Sequence, residues 1–238
     1  MASAHSPSSA ISDQARTDVA GANQGHAVAH QFDDAGQQRE AAELGMWLFL
    51  VTEIMFFGGL FLGYAIYRSL YPAVFAEASH HLNVWIGAAN TAVLLASSLT
   101  MALAVYAAEH RQRRRALMLL AATAILGTMF LAVKAFEYHE KYVEQHVPVR
   151  ALTFHYSDDP QTNQAGHIFF SLYFLMTGMH ALHMVIGLAA LLVLIVLVRR
   201  GRLLGERSTA VHCTGLYWHF VDIIWVFLFP LLYLVGTR

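Results

Sequence analysis

The chain has 238 residues, 57% of them hydrophobic and only 13% charged, with a formal net charge of −1 and a mean hydropathy of +0.46. Soluble domains run near about 45–50% apolar and about 25% charged, so the composition excludes an ordinary soluble enzyme and describes an integral membrane protein of the helical kind. The near-zero charge gives no sign of a nucleic-acid partner. The lone cysteine, Cys213, excludes an intrachain disulfide and a Cys-based copper or iron–sulfur site.

Residues 1–40 are rich in Ala, Ser, Gln, Gly, Asp and His and show no helical apolar period. They read as a disordered tail, and with no apolar core segment among them no signal peptide is expected. His26 and His30 stand four residues apart but have no third ligand type clustered nearby. Residues 41–238 form the membrane domain, with five apolar segments near 45–68, 83–107, 116–138, 167–198 and 213–235. Each is long enough for a hydrocarbon core of about 30 Å, which predicts an all-α bundle of five transmembrane helices. The connection after the second span carries Arg111, Arg113, Arg114 and Arg115, and that after the fourth carries Arg199, Arg200, Arg202 and Arg207. The positive-inside rule puts these loops and the N-terminus in the cytoplasm, and the odd number of spans then puts the C-terminus outside. The longest connection, about 139–166, then lies outside.

The first span, GMWLFLVTEIMFFGGLFLGY from Gly45 to Tyr64, carries a carboxylate, Glu53, near its middle. An ion at the bilayer centre costs about 2.5–3.5 kcal/mol on insertion scales, so it is expected to face protein. At 1.5 Å per residue, Glu53 lies about 12 Å from the cytoplasmic face, with His219 at about 9 Å and Asp222 at about 13 Å. That permits an inner layer in which Glu53 meets the His219/Asp222 face. The same count puts Asn90, Lys134, Glu137, His180 and His183 in an outer layer at about 22–31 Å, with Lys134 and Glu137 able to pair as i,i+3 neighbours. No two histidines share the depth on facing helices that a bis-His heme needs, and apolar turns separate the two layers, so no complete proton path is expected within this chain. No nucleotide loop, nucleophile elbow or metalloprotease signature is present.

The segments GMHALHMVIG (Gly178–Gly187), GLYWHFVDIIWVFLFPLLYL (Gly215–Leu234), GMWLFLVTEIMFFGGLF and KAFEY (Lys134–Tyr138) together resemble subunit III of the heme–copper oxidases, over about residues 44–236. The resemblance implies an accessory subunit without a redox centre, in a proton-pumping terminal oxidase of the bacterial inner membrane. On this resemblance, hemes and copper would belong to the partner subunits I and II. This chain would pack on subunit I, hold phospholipid in a cleft, and support proton uptake and the stability of the complex. Glu53 matches the family's buried acidic position, and His180, His183, His219, Asp222 and Glu137 match its other polar positions, in packing, lipid or proton-linked roles. None is expected to be catalytic, and no metal site is expected. Trp47, Tyr64, Trp218 and Trp225 are the aromatic candidates for lipid contact. Larger members have two further helices ahead of the GMWLF segment, so this chain resembles the five-span bacterial form. The accessory subunit of a nitric oxide reductase shares this plan. A small transporter using Glu53 and Asp222 for ion coupling is the reading from a different class, and the lack of internal repeats and of broken spans counts against it.

Overall fold

The computed structural model describes residues 34–80, 82–143, 160–205 and 208–234, and residues 1–33, with His26 and His30, lie outside them. Among the described residues there are six helices and no strand: α1 (Ala35–Leu70), α2 (Pro72–Ser79), α3 (Val84–Glu109), α4 (Arg113–Val143), α5 (Pro160–Arg199) and α6 (Thr209–Tyr233). All but α2 are long and apolar enough to cross a membrane, as the five apolar segments predict.

The helix ends follow from local chemistry. Asp34 Oδ1 accepts from Gln37 N at 2.7 Å, which satisfies one of the free amides at the start of α1. The helix therefore begins well before the apolar run at Gly45. In this first unit, which ends at Leu44, Arg39 pairs with Glu43 at 3.0 Å. Pro72 opens α2, where its fixed φ suits the first turn and its missing N–H costs nothing. Asn83 caps α3 by accepting from Trp85 N and Ile86 N at 3.1 and 3.2 Å. At the end of α5, Gly201 adopts φ +73° while Arg202 N reaches Leu197 O and Gly201 N reaches Val198 O. This is a Schellman stop, which glycine allows without a Cβ penalty.

In the unit from Gly45 onward, the close helix approaches are α3–α4, α4–α5, α5–α6 and α6–α3, which close a four-helix ring; α2 lies against α5. Helix α6 supplies the interior. Over its most apolar window 56% of the residues are buried, against 17% for α1. Trp218 and Trp225 are fully buried, and α4 and α5 make room for the first of these rings with glycine. A Cβ at Gly127 would lie 2.7 Å from the Trp218 ring, and one at Gly187 would lie 3.0 Å from it. Helix α1 meets the ring through side chains: Phe57 packs edge-on against His183 of α5 and Phe220 of α6. Its opposite face, with Val51, Met55 and Leu62, is exposed.

Candidate functional site

In a membrane interior no water satisfies a polar side chain, so each one seeks a partner on another helix. Among the described residues, three such groupings hold the ionisable side chains of the spans, and an apolar groove lies beside them.

The first grouping centres on Lys134 and Glu137, one turn apart on α4 and both buried. Lys134 Nζ donates to Glu137 Oε2 at 2.8 Å and to Tyr233 OH at 2.6 Å. Tyr173 OH donates to Glu137 Oε1 at 3.1 Å, and Tyr233 OH donates to the same oxygen. Both carboxylate oxygens are thereby used, and the ammonium also lies 4.5 Å from the Trp225 ring, within cation–π range. The expected i,i+3 pair forms, and it recruits hydroxyls from α5 and α6. Tyr173 and Tyr233 escaped sequence reasoning because, in hydropathy, a tyrosine in an apolar run is indistinguishable from phenylalanine. The usable signal is that a buried tyrosine hydroxyl needs a partner.

The second grouping fastens α6 to α3. Trp218 Nε1 donates to Ser97 Oγ and Trp225 Nε1 donates to Thr91 Oγ1, each at 3.0 Å. Ser98 Oγ and His219 Nδ1 are 2.7 Å apart. Asp222, one turn beyond His219, is buried, with the Ser98 hydroxyl of α3 beside its carboxyl group. The inner layer of Glu53 with His219 and Asp222 therefore does not form, since His219 turns to α3 instead.

Glu53 belongs to the third grouping. Its Oε2 lies 3.1 Å from Nε2 of His183 on α5, and Tyr217 OH of α6 donates to His183 O at 2.9 Å. The depth count assigned Glu53 and His183 to different layers, at about 12 and about 22 Å, whereas the two side chains meet. His180, one turn before His183, packs instead between the Phe130 and Trp225 rings, and neither ring nitrogen has a hydrogen-bond partner among the described residues.

A groove of about 490 Å³ runs between α1 and α6, lined by Trp47, Ile54, Phe61, Leu216, Ile223 and Phe227 among others. Of the four aromatic residues expected at lipid, Trp47 alone is exposed; Tyr64, Trp218 and Trp225 have no exposed surface. This corrects the expectation for those three, whose polar tips are spent inside the protein. Tyr64 OH donates to Leu231 O at 2.7 Å, one of the carbonyls that the last turn of a helix leaves free. Tyr64→Phe is expected to cost about 1 kcal/mol, read as a small drop in the melting temperature of the detergent-solubilised protein with no change in its helix content.

Among the described residues no three His, Cys, Asp or Glu side chains converge as metal ligands. Most of the ionisable groups described above instead make contacts between helices. This defines the class: a multi-pass helical membrane protein whose spans are fastened to one another by polar side chains. The cytochrome c oxidase subunit III family model matches residues 30–237, and the chain belongs to that family. Family members are subunits of multi-subunit oxidases of the respiratory chain. The chain is 30% identical over 212 residues to the cytochrome bo(3) ubiquinol oxidase subunit 3 of Pseudomonas aeruginosa, covering 89% of this chain and 93% of that one. It is 32% identical to the cytochrome c oxidase subunit 3 of Corynebacterium diphtheriae, covering 85% and 96%. With the cytochrome c oxidase subunit 3 of Thermostichus vulcanus it shares 31% identity, covering 90% and 96%.

Proposed function

We propose that this chain is the accessory, non-redox subunit III of a proton-pumping terminal oxidase that reduces oxygen to water, with cytochrome c as the electron donor. It packs on subunit I, holds membrane phospholipid, supports proton uptake into subunit I, and keeps the complex intact during turnover. Subunits I and II carry the hemes and copper. The chain sits in the bacterial inner membrane with its Arg-rich loops and N-terminus cytoplasmic and its C-terminus periplasmic.

The observation that carries this reading is how the polar groups of the spans are used. Glu53, Lys134, Glu137 and His219 each bond to a neighbouring helix or turn, which suits a scaffold better than a conduit. The groove beside α1 supports the lipid role. It is almost wholly apolar, so an acyl chain of the surrounding bilayer fills it by van der Waals packing without stranding a polar group. The Pseudomonas relative, named a ubiquinol oxidase subunit, favours quinol as the alternative donor.

Affinity purification of the complex through a tag on this chain tests the reading. Subunits I and II are expected to copurify with heme absorbance, and copper ligands in subunit II would assign cytochrome c as donor. Recovery of the chain alone, or with partners that carry no heme, would contradict it.

A further inference from the structure

The geometry points to a single-proton site shared by Glu53 and His183, in which the shared proton holds α1 against the four-helix ring. His183 Nδ1 lies 2.8 Å from Met179 O, and a backbone carbonyl has no proton to give. Nδ1 therefore carries the hydrogen and donates it. That leaves Nε2, 3.1 Å from Glu53 Oε2, as a lone-pair nitrogen whenever the ring is neutral. A carboxylate oxygen also brings only lone pairs. The contact is bonding only if one proton lies between them, either as imidazolium with carboxylate or as imidazole with carboxylic acid. The two forms have the same charge, so the proton belongs to the pair and not to either residue.

The surroundings make the second part of the inference. Phe57 closes over the imidazole from α1 itself, while Tyr217 of α6 and His180 of α5 are the titratable groups that face the pair, with Lys134 and Glu137 of α4 beyond His180. Helix α1 is absent from the close helix–helix approaches and is joined to the ring by side chains. Tyr64 ties its later half to α6, and Glu53 ties its middle to α5. Removing the shared proton leaves two lone pairs facing each other and a net negative charge in an apolar setting. The tie then opens, and the groove between α1 and α6 widens at its Trp47 end. The sign is fixed by the proton count: α1 is held at low pH and released as the pH rises past the point where the pair gives up its proton. This rests on the pair's geometry and holds whichever electron donor the complex uses.

The test uses the intact membrane complex and two readouts. Infrared pH titrations compare the parent with Glu53→Gln and His183→Gln. Glu53→Gln keeps a hydrogen bond, because its amide N–H donates to Nε2, but it has no proton to share. The parent is expected to show carboxyl and imidazole signals that change together in one transition. Glu53→Gln is expected to lack both, and His183→Gln is expected to show a carboxyl transition at a different pH. Two separate transitions in the parent, none at all, or an imidazole transition unchanged in Glu53→Gln would overturn the site. The second readout is cross-linking of Ile54→Cys to Ile223→Cys across the groove by a short bis-maleimide, with Cys213→Ser as background. Relative to the same pair in the Glu53→Gln chain, which corrects for thiol chemistry, the yield is expected to fall severalfold as the pH rises. A constant ratio at all pH values would overturn the tie.

Discussion

Glu137→Leu is expected to cost the folded protein about 3–5 kcal/mol, among the largest effects of any single substitution, because it leaves a buried ammonium without its counter-charge. Lys134 is buried beside Trp225, Tyr173 and Tyr233, so the stranded cation has aromatic faces and one hydroxyl but no carboxylate. Lys134→Met strands the carboxylate instead, although two tyrosine hydroxyls still donate to it, and the loss is expected to be smaller. The double variant Lys134→Met/Glu137→Leu removes both charges and is expected to recover most of the stability. The remaining deficit is about 1 kcal/mol for each hydroxyl, Tyr173 and Tyr233, that is left short of a partner. Thermal unfolding of the detergent-solubilised complex, followed through loss of this subunit, measures all three. If the double variant were as unstable as Glu137→Leu, the network would owe its importance to shape and not to charge.

The second large effect concerns the Trp218 ring. It lies between Gly127 of α4 and Gly187 of α5 and donates to Ser97 of α3, so one side chain fixes the spacing of three helices. Trp218→Ala is expected to cost about 3–5 kcal/mol through the cavity it leaves. Gly127→Ala is the more discriminating test. In an unconstrained helix alanine would gain about 1 kcal/mol over glycine, but here its Cβ would lie 2.7 Å from a rigid ring atom. Overpacking of this kind costs about 1–3 kcal/mol, so the net change is expected to be destabilising. Trp218→Phe in the Gly127→Ala chain is expected to relieve part of the loss. A stabilised Gly127→Ala variant would show that the ring has room to move.

Much of the architecture was legible before the structure, for a physical reason. A span that must satisfy its backbone internally and meet lipid outside is written as a long apolar run, and five such runs stand in the sequence. The short α2 was not legible, because eight residues opened by Pro72 resemble an ordinary loop in hydropathy. The early start of α1 is not legible either, because its first turns, GQQREAAEL, are helix-forming but polar and carry no apolar period.

Within the site, Lys134 and Glu137 could be paired because i,i+3 neighbours on one helix need no knowledge of tertiary structure. Glu53 and His183 were each flagged, but their meeting depends on which helices lie side by side, which a single sequence does not specify. A depth count from the ends of the apolar runs put them about 10 Å apart, although their side chains meet. The hydroxyl partners Ser97, Ser98, Thr91, Tyr173 and Tyr233 were overlooked because small or aromatic hydroxyls barely alter the hydropathy of a span.

The central claim is that this chain supports a catalytic neighbour and contributes no redox group of its own. The most direct measurement compares the complete oxidase with the complex prepared without this chain, recording visible spectra and oxygen consumption over many turnovers. The heme spectrum and the initial rate are expected to survive its removal, while activity decays faster as turnover proceeds. Loss of a heme band, or of oxygen reduction from the first turnover, would contradict the account.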